Sequence, residues 1–332
     1  MSAERSQVGI SRRRFLARAG KVGLALGGVV GLGVGLYDPS GPGPGTGLPR
    51  AGVSIPDLAL AGMSGKMAVA LGSDRGKGLA AALEALGGMQ VFIKPGDRVL
   101  IKVNAAFASP PAVGATTNPE LLSAMIRLCL EARAAQVLVT DNPIQDPVAC
   151  FNFSGLSQAC DRSGAKLTLP SAGSFAALTL EGGQLLRNWP VLFGPFKGVN
   201  KLIGMAPVKD HHRSGASLSM KNWYGLLGGN RAIFHQNIHQ IILELAMMVR
   251  PTLVVLDGVQ SMMANGPTGG SLDDLKPTNT LIVSTDQVAA DAFAAGLLDK
   301  NPADLPFINL ASRAGLGQAD FQRLNPIKVQ TG

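Results

Sequence analysis

The sequence predicts an α/β fold, a mainly parallel sheet with helices on both faces and strand–helix alternation. Short apolar runs alternate with helical patterns over residues 65–325. The runs lack strict apolar–polar alternation, as strands buried on both faces do. Polar residues stand just past the ends of several runs, namely Asn104, Asp141, Asp257 and Asp286. Open α/β sheets bind ligands outside the carboxyl ends of their strands, so these positions outline one cleft. Composition permits a large core: 46% of the 332 residues are hydrophobic and 16% charged, which excludes global disorder. The 42 glycines and 21 prolines, without sustained heptads, exclude a long coiled coil.

The elements follow in order. Residues 66–72 read as a strand, 78–86 as a helix and 98–104 as a strand. A helix over 119–134 opens on the cap residue Asn118, with Pro119 at its first position and Glu120 in its first turn. The apolar run Gln136–Thr140 is the next strand and ends at Asp141; a helix over 154–163 follows. A less regular stretch leads to a strand at 202–206, a helix near 217–227 and a longer helix over 237–249. The run at 252–256 is a strand ending at Asp257, and 280–284 is a strand entering a helix over 287–298. A last helix lies around 305–314.

Residues 1–50 have an organisation of their own. The chain carries a net charge of +8, of which +5 falls in this segment, leaving +3 for the rest. The segment Ser11-Arg12-Arg13-Arg14-Phe15-Leu16 precedes an uncharged run over 22–37 that contains six glycines. This is the layout of an export signal, and Arg12, Arg13, Phe15 and Leu16 resemble the twin-arginine pattern. A basic tail before a core helix is the alternative, but each glycine in a helix costs about 1 kcal/mol relative to Ala. No small-x-small cleavage site follows, so residues 1–37 are either a removed signal or an anchor through 22–37. Residues 38–64 read as a Pro/Gly-rich linker, and 65–325 as a single α/β domain. The expected location is the bacterial periplasm or a membrane face toward it, with the twin-arginine machinery as partner. Nucleic acid is not an expected partner: export removes it, and two Trp and two Tyr offer few stacking platforms.

All four histidines lie between residues 211 and 239. His211 and His212 follow Lys209-Asp210, and Lys221-Asn222 stands ten residues after His211. His211, His212 and Lys221 are therefore candidate catalytic residues, since imidazole moves protons near neutral pH and a lysine can anchor an anion. His235 and His239 are four apart, which on a helix puts them on one face and suits a metal. The alternative is a polar face shared with Gln236, Asn237 and Gln240. Lys102 lies inside an apolar strand and needs a partner or an anion. With Asn104, Asn222 and Asp257 it forms a candidate cofactor-binding set, together with Asn265, Gly266, Gly269 and Gly270 of a glycine-rich loop that can turn N–H groups toward an anion. The alternative for that loop is a tight surface turn. No P-loop ending and no strand-linked G-x-G-x-x-G occurs. Cys129, Cys150 and Cys160 contain no C-x-x-C, so this chain has no iron–sulfur motif; Cys150 and Cys160 are left open to pair.

Taken in order, Lys102-Val103-Asn104, Thr117-Asn118-Pro119-Glu120, Lys209-Asp210-His211-His212, Met220-Lys221-Asn222, Asp257-Gly258, Asn265 to Gly270 and Ser284 to Asp291 resemble the DUF362 family over roughly residues 65–320. The resemblance implies little about activity. Family members often carry twin-arginine signals, and many carry a ferredoxin-type iron–sulfur domain that this chain lacks. The His211 to Lys221 spacing is also similar to that of lactate racemase, whose lysine bears a nickel-pincer nucleotide; Leu218-Ser219-Met220 departs from that pattern. Three readings follow: a metal- or cofactor-binding envelope protein with a His/Lys cleft, a non-catalytic module partnering a separate iron–sulfur protein, or a racemase-like enzyme. The cofactor itself, metal ion or anion, is left unassigned.

Overall fold

The structure is a computed structural model and describes residues 52–331. The expected export signal and residues 38–51 of the expected linker lie outside the described residues. The rest of that linker is partly core: Ile55 and Leu58 are buried, and the Val53 and Leu58 N–H groups donate to Ala177 and Arg250 carbonyls. Two apolar side chains anchored by backbone hydrogen bonds make 53–58 part of the folded body.

The apolar runs form one sheet, nine-stranded among the described residues. Its strands are β1 (Met67–Leu71), β2 (Arg98–Lys102), β3 (Gln136–Thr140), β4 (Lys166–Leu167), β7 (Lys201–His211), β8 (Gly215–Ser217), β9 (Leu253–Met262), β10 (Leu275–Ser284) and β11 (Ile327–Gln330). Strands β5 (Phe175–Leu178) and β6 (Trp189–Leu192) make a separate antiparallel pair. The spatial order is β11-β1-β10-β9-β7-β2-β3-β4, with β8 folded back on β7. Ladders are parallel except where β10 meets β9 and β1, and where β8 meets β7. The sheet is therefore mainly parallel, as the unalternating strands predict.

Alternate residues of the strands feed two apolar layers. Val69, Leu100, Val254 and Leu256 belong to one, and Ala68, Ala70, Val99, Ile101, Leu253 and Val255 to the other. Helices α1 (Arg75–Ala85), α2 (Met89–Phe92), α3 (Pro119–Glu131), α4 (Pro147–Phe153) and α5 (Leu156–Ser163) precede α6 (Ser219–Asn222), α7 (Ile238–Met248), α8 (Gln287–Leu297) and α9 (Pro306–Arg313). Leu121, Met125 and Cys129 of α3 pack in the second layer; Ile241, Leu245, Val288, Ala292, Phe307 and Ile308 of α7, α8 and α9 pack in the first. The Asn118 cap holds: its side chain accepts from the Glu120 and Leu121 N–H groups. No helix among the described residues is long and apolar enough to cross a membrane.

Several boundaries move. The strand expected at 202–206 runs on to His211, because Lys209-Asp210-His211 pair with β8. The helix expected near 217–227 is one α-turn, α6, followed by a 3-10 turn. Strands β9 and β10 form a long antiparallel hairpin in which Leu275 opposes Met262. That hairpin reverses the direction of β10, so Ser284 lies opposite Met67 at the start of β1. Asp286 is thereby carried to the amino-end edge of the parallel strands, away from Asn104 and Asp141. There it caps α8 through the Val288 and Ala289 N–H groups. Cys129, Cys150 and Cys160 are buried and free, and burial pushes the Cys150 thiol up to about 11 and the Cys160 thiol up to about 12.

Candidate functional site

The carboxyl ends of β2 and β3 and the outer half of β7 meet α6 around a chain of polar side chains. Lys102, last residue of β2, pairs with Asp141 just past β3 at 2.7 Å. Its Nζ also donates to Asn222 Oδ1 at 2.8 Å. Asn222 Oδ1 accepts from Asn104 Nδ2 at 3.2 Å, and Asn104 Oδ1 accepts from Lys209 Nζ at 3.4 Å. Lys209 further donates to the Ala115 carbonyl at 2.5 Å and sits 5.5 Å from the Phe107 ring centre. Gly225 lets the Lys102–Asp141 pair form, since a Cβ there would stand 2.0 Å from Asp141 Oδ1 and 2.5 Å from Lys102 Nζ.

These groups line an inner chamber of about 80 Å³ that Lys221, Arg231, Tyr224, His211 and His235 complete. Lys221 is held there by a buried carboxylate behind it. Asp291 of α8 accepts from the Ser219 N–H at 2.8 Å, the Met220 N–H at 3.1 Å and the Ser219 hydroxyl, fixing the first turn of α6. Burial pushes Asp291 up to about 7 against those hydrogen bonds. Trp223 locks the same segment: its Nε1 donates to Gln287 at 2.7 Å, and its ring lies so close to β7 that a Cβ on Gly204 would stand 2.5 Å from it. The Lys221 ammonium is 5.2 Å from the Tyr224 ring centre and, among the described residues, has no carboxylate partner and no hydrogen-bond acceptor. Arg231 donates to the carbonyls of Tyr224, Leu227 and Asn142, so it is fixed in place without being neutralised.

Four cations thus surround one carboxylate. Burial, then the Arg231 and Lys102 charges, push Lys221 down to about 7. Burial and the Lys221 charge do the same to Lys209, also to about 7. Lys102 is lowered too, burial outweighing its pairing with Asp141. Such a chamber favours an anion, which would restore these protonated forms. An amine poised near 7 can equally take up a proton from a bound ligand.

The histidines sort unequally. His211 and His212 stack with ring centres 5.0 Å apart, and His235 lies 5.9 Å from His211. His211 Nδ1 accepts from the Arg213 and Ser214 N–H groups, both at 3.2 Å, so the neutral ring carries its proton on Nε2. Burial, then the Lys221 charge, push it down to about 2, which makes His211 a fixed N–H donor near neutral pH. His212 and His235 wall an outer chamber of about 820 Å³, with Phe107, Ile144 and the loop 265–271. Asn265, Gly266, Gly269 and Gly270 all lie on that loop, and a Cβ on Gly266 would stand 1.8 Å from the Asp210 carbonyl oxygen, so only glycine fits there.

Two expected placements are corrected. His235 and His239 do not share a helix face: His235 is in the 3-10 turn Arg231–Asn237 and His239 in α7, stacked on Phe307 at 6.2 Å and lining neither chamber. Among the described residues no group of three or more His, Cys, Asp or Glu is arranged to hold a metal ion. Asp257 leaves the cleft as well: it pairs with Arg75 at 2.7 Å and lines a separate cavity of about 530 Å³ with Thr116 and Pro207. Arg231 and Tyr224 are not among the sequence candidates, and Asp291, which closes the Ser284 to Asp291 run, seats α6. Tyr224, one of two tyrosines and three residues from Lys221, carried the available signal; Arg231 had none.

The sequence profile described as domain of unknown function (DUF362) matches residues 99–296. A thylakoid-associated protein of Synechocystis sp. is 27% identical over 258 residues, covering 74% of this chain and 76% of its own. Among solved structures, the lactate racemase apoprotein of Thermoanaerobacterium thermosaccharolyticum aligns with a TM-score of 0.38 at 12% identity over 74% of this chain. A Thermotoga maritima protein aligns with a TM-score of 0.35 at 11% identity over 72% of it. The chain spans 58% of the length of each of these two structures.

Proposed function

The chain belongs to the DUF362 family, and on that premise we propose that it is a cell-envelope protein whose cleft binds a small oxyanion or an anionic cofactor. One observation carries the reading: Lys221 enters the inner chamber without a counter-ion, beside Lys209 and Arg231, with Asp141 already committed to Lys102. A buried charge without a partner is costly, and an anion of the right size offsets that cost. Neutral His211 adds an N–H donor, and Lys221 supplies the group that exchanges a proton with the ligand.

Calorimetric titration with sulfate or orthophosphate at about pH 6.5 tests this. Saturable binding is expected, reduced at least tenfold by Lys221→Met and unchanged by Lys166→Met on the exposed β4. Equal binding by wild type and Lys221→Met would remove the reading. The envelope location is supported by Arg12 and Arg13 ahead of the uncharged 22–37 run and by the thylakoid association of a relative. Fractionation of cells producing the chain with both arginines changed to lysine is expected to find it retained in the cytoplasm.

A further inference from the structure

We propose that the cleft takes an organic oxyanion, with a single phosphate or carboxylate head in the inner chamber and a flat, uncharged ring in the outer one. This rests on the anion-binding reading above and assigns the class of ligand. The inner chamber, about 80 Å³, has room for one head group of a few heavy atoms and not for a polyphosphate. It opens into the 820 Å³ outer chamber past Phe107, Ile144, His211, His235 and Pro267, which line both. A ligand anchored by its head therefore extends its body along these side chains. The outer space is an open groove whose volume is enough for the body of a small ligand.

The outer walls specify the body. The His211 and His212 rings stack within 8° of parallel and His235 stacks within 13° of His211, and Phe107 lines the same space. Ile144 is 65% exposed at the rim, an apolar side chain left uncovered where a ligand ring would lie. Among the described residues no Lys or Arg lines the outer chamber, burial lowers the His211 and His235 imidazoles, and the carboxylate of Asp274 accepts from Asn265 Nδ2 at 2.6 Å and the Ser271 N–H at 3.2 Å. The loop itself is tied to this wall through contacts of His212 Nδ1 and N–H with the Gly266 carbonyl oxygen. Cationic charge is concentrated at the inner end, and aromatic and apolar side chains line the outer end, so the ligand should carry its anionic head inward and its ring outward.

The test compares four probes on the full chain by calorimetry: orthophosphate with phenyl phosphate, and acetate with benzoate. For the head group the site prefers, the ring-bearing probe is expected to bind at least tenfold tighter than its parent anion. That ratio should fall to within about twofold in His212→Ala and, independently, in Ile144→Ala at the exposed rim. The pair that binds identifies the head as phosphate or carboxylate. Parent and ring-bearing probes of equal affinity would overturn the two-part ligand while leaving anion binding standing. So would a ratio that persists in both variants. If none of the four binds, the anion-binding reading falls with it.

Discussion

Lys221 has an ammonium group with no carboxylate to hold it and a helix turn that prevents it from leaving. Its stability consequence has a definite sign. The unfolded chain keeps this lysine near 10.5, while the fold lowers it to about 7. Below about 7 both states are protonated and the fold bears the full cost of the buried charge; between the two values the unfolded state binds more protons, so stability rises with pH. Lys209, lowered to a similar value, acts in the same direction. Each tenfold weakening of proton binding on folding corresponds to about 1.4 kcal/mol, so Lys221→Met is expected to stabilise the ligand-free protein by a few kcal/mol at about pH 6. The gain should shrink toward about pH 10. Urea denaturation at both pH values measures it, and a variant less stable than wild type at the lower pH would refute the account. His211, by contrast, should titrate nowhere near neutrality, because burial and then the Lys221 charge disfavour the imidazolium, and two backbone N–H groups already face its Nδ1.

At the scale of elements, the site depends on a four-residue helix that cannot be stable alone. Helix α6 is held from α8 by Asp291 and from β7 by Trp223 against Gly204. Asp291→Asn keeps the size but presents one carbonyl oxygen where two carboxylate oxygens accept. A loss of about 1–3 kcal/mol is expected, with weaker anion binding because Lys221 shifts; denaturation and sulfate titration of the same variant check both. Elements with purely local signals were legible in the sequence. Gln136–Thr140 has the bounds its apolar run predicts, and α3 starts at the Asn118 cap. What was hidden depends on pairing across the sheet. The polar Lys209-Asp210-His211 is strand only because β8 folds against it, and Lys276 to Asn279 is strand only because β9 lies alongside, with a register shift before Thr280. The candidate site was legible to a similar degree: Lys102, Asn104, Lys221 and Asn222 meet, whereas Asp257 and Asp286 are removed by topology that no local spacing records.

Over the whole molecule, charge is distributed by purpose. Of the net +8, five belong to residues 1–50, which hold Arg12, Arg13 and Arg14, and three to the remainder. Within the described body, Lys209 and Lys221 are buried and Arg231 is half-buried, all three without a carboxylate partner and all lining the inner chamber. A basic surface would attract polyanions and respond to any salt by screening. A basic interior should instead respond to one anion of matching size. Sulfate remains a dianion across the range in which Lys209 and Lys221 titrate, which makes it the informative probe. At concentrations near 100 times its dissociation constant it should stabilise the protein by about 2.7 kcal/mol, beyond chloride at equal ionic strength. The effect should fade as pH rises from about 6 to 9, because each lysine loses the proton that sulfate requires. Thermal denaturation in matched sulfate and chloride buffers measures this. Equal stabilisation by the two salts at every pH would mean that the buried charge has no ligand of this kind. A sulfate-specific effect lost in Lys221→Met would locate it in the inner chamber rather than on the surface.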